Sequence, residues 1–180
     1  MKPSLTSHAM FNISEITSYL YVSSFPRREN LEQIRELGVR LILSMYLMKP
    51  DKSLGEPPLT LLWMPVIDSP LIPIPLGVFR VGVRAALPVI EAGNKVLVHC
   101  RWGIHRSVGM ACCILIEKGY TLSEAIALVK HQRPVADPEA GHILRRIKKF
   151  EQGKSARLTA GCAPQVHHTN HDEGGYEPNH

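Results

Sequence analysis

The stretch His99-Cys100-Arg101-Trp102-Gly103-Ile104-His105-Arg106-Ser107 gathers the groups best able to do chemistry in this 180-residue chain. Cys100 and Arg106 stand six positions apart, between an apolar Val96-Leu97-Val98 run and a helical pattern opening at Ser107. A loop that short, running into a helix N-terminus, curls its backbone N–H groups toward one point, where the helix dipole adds positive potential. The same field stabilises a thiolate, so Cys100 is expected to have a depressed pKa and to be nucleophilic near neutral pH. Arg106 matches two equatorial oxygens of a phosphoryl group in fork geometry, which a lysine point charge does not. Cradle, thiolate and guanidinium together suit binding and attack on phosphate, with Arg101, Trp102, Gly103, Ile104, His105 and Arg106 as the substrate-binding positions.

The elements that must hold this loop are legible on either side of it. Tyr19 to Ser23 reads as an early strand. Asn30 caps a short helix carrying Leu31, Ile34 and Leu37, and Gly38 ends it. Val39 to Met45 and Leu61 to Val66 read as buried strands, and Asp68 sits just past the second. Phe79, Val83, Leu87 and Ile90 share a helical face that Pro88 is expected to kink or interrupt, and Gly93-Asn94 turns the chain into the strand Lys95 to His99. After the loop, Val108, Ala111, Cys112 and Leu115 follow helical spacing up to Gly119, so Cys112 and Cys113 read as packing. Thr121 to Glu124 forms a capping box, and Asp137-Pro138 caps a last helix carrying Ile143, Ile147 and Phe150. Strands separated by helices argue for an α/β fold, a central mostly parallel twisted sheet flanked by helices.

Composition bounds the function classes. With 44% apolar residues the chain can build a core of one domain, here residues 1–152, followed by a Gly- and His-bearing segment at 153–180 expected to be a flexible tail. Four cysteines, two of them adjacent, do not form a secreted disulfide framework, and their spacing offers no zinc-finger pair of pairs. No apolar run approaches the roughly 20 residues needed to span a bilayer, and Met1 to Phe11 lacks the apolar core of a signal peptide. The expectation is therefore a soluble, cytoplasmic protein with no membrane partner. The net charge of +5 suits an anionic substrate, while aromatics at only 6% argue against nucleic acid as a partner.

His-Cys, five residues, then Arg-Ser resembles the signature loop of the cysteine-based protein phosphatases, and the flanks resemble the dual-specificity branch. Ile16 to Val22 (ITSYLYV) is similar to that family's opening segment, Pro65 to Pro70 (PVIDSP) to its general-acid loop, and Arg133-Pro134 with the helix after it to its C-terminal pattern. The likeness covers roughly residues 12–152. It implies that Cys100 attacks phosphorus to give a phosphocysteine while Arg106 and the loop amides hold the oxygens. It also implies that Asp68 protonates the leaving oxygen and then activates water. Asp51, in another loop, is the runner-up acid. Ser107 caps the following helix, and by resemblance its hydroxyl also helps the thiolate leave; His99 orients the loop and tunes the thiolate.

Two positions depart from the family pattern, which favours small residues where Trp102 and His105 stand. Trp102 is expected to pack beneath the loop in preference to forming its rim. Arg101 and His105 add positive charge beside Arg106, which raises a phosphoinositide or an RNA 5′ phosphate as an alternative to phosphorylated protein substrates. A rhodanese-like sulfurtransferase and a non-catalytic phosphoresidue-binding module are the competing classes, and the combination of Cys100, Arg106 and Asp68 speaks against both. No metal or organic cofactor is expected, because nucleophile and acid are both side chains.

Overall fold

The computed structural model describes residues 11–161. Its chain order is β1 (Ile13–Thr17), β2 (Leu20–Ser23), α1 (Leu31–Glu36), β3 (Val39–Ser44), β4 (Thr60–Trp63), α2 (Leu76–Glu91), β5 (Lys95–His99), α3 (Arg106–Glu117), α4 (Leu122–Gln132) and α5 (Gly141–Gly161), with short 3-10 turns at Arg28–Asn30 and Lys52–Gly55. The five strands form one sheet ordered β1-β2-β5-β3-β4. Only the β1–β2 pair is antiparallel; β2, β5, β3 and β4 run parallel, as the alternation of strands and helices requires.

Side chains alternate across these strands with a period of two, which divides the core into two layers. Leu20, Val22, Leu41, Leu43, Val96 and Val98 face α2 to α5, whereas Tyr21, Ile42 and Leu97 face the smaller layer built with Ile34 and Leu54. Helix α3 is the centre of the larger layer. Every residue from Arg106 to Ile116 is buried, and the helix packs against α2, α4, α5 and β5. A helix apolar on all sides has no freedom to roll, so its first turn is a fixed platform for the loop before it.

Several expectations shift in detail. β4 stops at Trp63 and leaves Asp68 on a longer loop than foreseen. Asn30 does not cap α1 with its side chain; its Oδ1 accepts from the Arg27 N–H at 2.8 Å and closes the preceding 3-10 turn instead. Pro88 does not break α2, which runs on to Glu91. The proline sits in the last turn, and the carbonyl that its missing N–H would have met belongs to Arg84 on the exposed side of the helix. The capping box is present as expected, with Thr121 Oγ1 accepting from the Glu124 N–H at 3.2 Å and Glu124 Oε2 from the Thr121 N–H at 2.8 Å. Helix α5 begins at Gly141, after Asp137-Pro138, and continues to Gly161, so residues 153–161 of the expected tail are helical; the remainder of that tail lies outside the described residues.

Candidate active site

β5 is the middle strand of the sheet, and its last residue, His99, is in register with Ser23 of β2 and Ser44 of β3. The chain leaves the sheet there, at the carboxyl ends of the parallel strands, and re-enters regular structure at Arg106, so the whole Cys100 loop spans the gap between β5 and α3. Its carbonyls are tied outward one after another. The Cys100 carbonyl lies 3.4 Å from His99 Nδ1, and the Arg101 carbonyl accepts from the Phe25 N–H at 3.1 Å. Trp102 and Gly103 carbonyls accept from the Arg133 guanidinium at 3.1 and 2.7 Å, and Ile104 accepts from the Asp137 N–H at 3.0 Å. His105 accepts from the Gly109 N–H within α3 at 2.8 Å. With those carbonyls engaged elsewhere, the Gly103 and Ser107 amides are left to face the concavity of the loop, where both reach the Cys100 sulfur.

Cys100 Sγ lies in that concavity, 1% exposed, accepting from the Gly103 N–H at 3.2 Å and the Ser107 hydroxyl at 3.3 Å. Burial by itself raises the thiol pKa. The Ser107 hydroxyl and amide, the Arg106 charge and the Gly103 amide outweigh it and hold the group below its ordinary value. Gly103 has φ of 70°, and a Cβ there would meet Arg133 Nη2 at 2.5 Å and the Ser23 carbonyl at 2.6 Å, so the turn requires glycine both for conformation and for space. Ser107 does not cap α3: His105 holds the N-cap position without a side-chain bond, and the Ser107 hydroxyl is directed to sulfur.

Arg106 is buried at the first position of α3, its Nη1 donating to the Val66 carbonyl at 3.0 Å and its guanidinium carbon 5.3 Å from the centre of the Tyr46 ring. Its Nε is 3.3 Å from Asp68 Oδ2. Three cationic or imidazole groups therefore meet on one carboxylate, because His105 Nδ1 is 3.3 Å from the same oxygen and His142 Nε2 is 3.1 Å from Oδ1. Burial pushes the Asp68 carboxyl up, but the His142 hydrogen bond, the Arg106 charge and His105 prevail and hold it below the usual range. Asp51 has no part in this cluster: it is exposed, and its Oδ1 accepts from the Ser53 N–H at 2.9 Å and hydroxyl at 2.7 Å, capping the second 3-10 turn.

Of the expected supporting residues, His99 is fully buried, edge-on to Phe25, and touches the Cys100 carbonyl, so it braces the loop without a bond to sulfur. Burial, with the Arg106 charge, lowers its pKa to about 4 against the raising effect of the Cys100 carbonyl, and the ring is neutral. Trp102 corrects the expectation of packing. It is 61% exposed, with the Arg101 guanidinium carbon 5.0 Å from its ring centre, and the pair forms the rim of a cleft of about 560 Å³ shared with Phe25, Tyr46, Met48 and Arg27. The loop has no interior space for the indole, since Arg133, itself 1% exposed, fills the volume beneath it. Arg101 and His105 thus part company, one stacked on the rim and the other drawn to Asp68. Two residues with clear roles here were not singled out as site residues from sequence: Arg133, known there only as part of a flanking pattern, and His142, which carried no local signal.

Comparison with known proteins gives the family of the chain. Residues 20–152 match the family described as dual specificity phosphatase, catalytic domain. The tyrosine-protein phosphatase yvh1 of Schizosaccharomyces pombe is 29% identical over 140 residues, 77% of this chain and 41% of that protein. Human dual specificity phosphatase 28 is 29% identical over 127 residues, 70% of each chain. The crystal structure of human DUSP28 superposes with a TM-score of 0.71 at 26% identity, covering 80% of this chain and 99% of that one. The chain spans less than half of the fission-yeast relative and of a putative tyrosine phosphatase of Invertebrate iridescent virus 6, where the match covers 44%. With the family match extending over most of its length and including the Cys100 loop, the chain belongs to the dual-specificity phosphatase family of the cysteine-based phosphatase superfamily.

Proposed function

We propose that this protein hydrolyses phosphate monoesters on phosphorylated proteins through a phosphocysteine at Cys100. The observation that carries the reading is a single sulfur receiving the Gly103 N–H and the Ser107 hydroxyl at the mouth of α3, with the Arg106 guanidinium at the other end of the loop. In the first step the thiolate attacks phosphorus and the bond to the ester oxygen breaks, that oxygen taking a proton from Asp68. In the second, Asp68 takes a proton from water as it attacks the phosphocysteine, and the S–P electron pair returns to sulfur, where the Ser107 hydroxyl stabilises it.

The resting contacts impose a condition on this cycle. Asp68 is ionised while it pairs with Arg106, yet the first step needs it protonated. A bound phosphoryl group resolves the conflict, because its oxygens draw the guanidinium away and its own charge lies close to the carboxylate. Both changes raise the Asp68 pKa. Substrate binding therefore arms the acid.

Turnover of a phosphopeptide panel, run beside phosphoinositides and 5′-phosphorylated RNA, tests the reading. Cys100→Ser is expected to abolish turnover while retaining binding of a non-covalent phosphate analogue such as tungstate, and Asp68→Ala to slow it by roughly 100-fold or more. Undiminished turnover by Cys100→Ser would end the covalent mechanism. Arg101 and Arg27 on the cleft rim favour a more anionic, non-protein substrate as the second reading, which the other arms of the panel address.

A further inference from the structure

Asp68, His105 and His142 come from three separate parts of the chain, the loop after β4, the end of the Cys100 loop and the first turn of α5. Their donor atoms nevertheless lie within 4.8 Å of one another. The two imidazole-to-carboxylate separations are 3.1 and 3.3 Å. Ligand atoms bound tetrahedrally at about 2.0 Å from a zinc ion stand about 3.3 Å apart. Each imidazole already stands at that spacing from one oxygen of Asp68, His105 from Oδ2 and His142 from Oδ1, and a modest turn of the carboxylate with approach of the two nitrogens completes the site. The rings meet edge to face, with centroids 5.2 Å apart, which directs Nδ1 of one and Nε2 of the other toward the same carboxylate. The side chains are partly buried, His142 at 13%, Asp68 at 24% and His105 at 31% exposure, enclosed on the protein side and open to solvent on the other.

We propose that Asp68, His105 and His142 form a binding site for a divalent transition-metal ion, zinc in particular, and that occupation of this site blocks catalysis. Two imidazoles and one carboxylate are a donor set suited to zinc, and water completes the fourth position on the open side. The metal takes the lone pair of His105 Nδ1 and of His142 Nε2, leaving each ring neutral with its proton on the opposite nitrogen. Neither nitrogen then donates to Asp68; the ion replaces both hydrogen bonds. A carboxylate committed to the metal carries no proton to give the leaving oxygen, and the ion's charge lowers its basicity toward water, so metal and turnover exclude one another. The inhibitory half rests on the phosphatase reading above, whereas the binding half stands on geometry alone.

Zinc titration of the full-length protein against a chromophoric chelator reads binding without any activity. Wild type and Cys100→Ser are expected to bind zinc alike, while Asp68→Asn, His105→Gln and His142→Gln each weaken the site on the order of 10-fold or more. The residues beyond 161, including their histidines, are the same in all five proteins, so differences among them report this cluster alone. Circular dichroism identifies any variant that fails to fold, and the remaining ligand variants still decide the matter. In the activity arm, zinc inhibits wild type at the concentration at which it binds, and His142→Gln shifts that concentration upward by the same factor. Zinc affinity unaffected by the histidine substitutions, or lost in Cys100→Ser, would overturn the site. Active enzyme with no binding at the cluster removes this inference and leaves the phosphatase reading in place, and zinc binding without phosphatase activity does the reverse.

Discussion

The hydroxyl of Ser107 has a choice of acceptors at a helix start and takes sulfur. That single bond is the largest of the effects opposing burial in lowering the Cys100 pKa. Ser107→Ala is accordingly expected to raise the pKa, so the acid limb of the iodoacetamide alkylation profile moves to higher pH and alkylation at pH 6 falls by roughly 3- to 10-fold. An unmoved limb would mean that the amides and Arg106 suffice. Cys112 and Cys113 contribute no background, since burial pushes the first up to about 12 and the second well above the ordinary thiol value. At this scale the grouping of Cys100, Arg106 and Ser107 was legible in sequence because six and seven positions of one loop hold them together, whereas Asp68 was singled out only through the resemblance of its loop, with Asp51 as the alternative. His142 was not, standing 74 positions from the carboxylate it meets, and neither was the outward turn of Trp102, which depends on Arg133 already filling the space below.

Elements decide how firmly the loop is held. Arg133, just past α4, gives its guanidinium to the Gly103 and Trp102 carbonyls and reaches Ser14 Oγ of β1 at 3.1 Å. Arg133→Met keeps the bulk but orphans the buried Gly103 carbonyl and the half-buried Trp102 carbonyl. We expect a loss of about 3 kcal/mol in urea unfolding together with weaker vanadate binding, and Arg133→Lys to fall between, because an ammonium lacks the fork. Stability alone changing, with vanadate affinity intact, would restrict Arg133 to a structural part.

His99 sets an acid limit on the same loop. Its folded pKa is about 4 against 6.5 for a free imidazole, so its contribution to stability is complete above pH 6.5 and drains away as pH falls toward 4. The loss reaches about 3 kcal/mol at pH 4. Comparing wild type with His99→Gln by urea unfolding at pH 7 and pH 4 isolates it, and equal acid sensitivity in the two proteins would refute the assignment. The four parallel strands, the capping box and the buried α3 were readable because periodicity is local, whereas the antiparallel edge strand β1, most of whose residues are only partly buried, gave no such pattern. The passage of α2 through Pro88 and the late start of α5 were not readable, since the first depends on where the helix ends and which carbonyl faces solvent, and propensity records neither that nor the start of α5.

On the scale of the whole molecule, the sheet order places the end of its central strand where the loops after β4 and β5 and the start of α5 meet. The α/β class followed from the alternation of elements, but the meeting of Asp68 with Arg106 required the three-dimensional arrangement, and with it the condition that substrate must separate them. Among the described residues no helix is long and apolar enough to cross a membrane. The most direct test of the central claim is rapid acid quenching of turnover with a peptide carrying radiolabelled phosphate on tyrosine, followed by peptide mapping. Ser107→Ala, which weakens sulfur as a leaving group, should accumulate label on the Cys100 peptide above the wild-type level, and Cys100→Ser should carry none. Normal turnover with no label on the Cys100 peptide in either active protein would contradict the account.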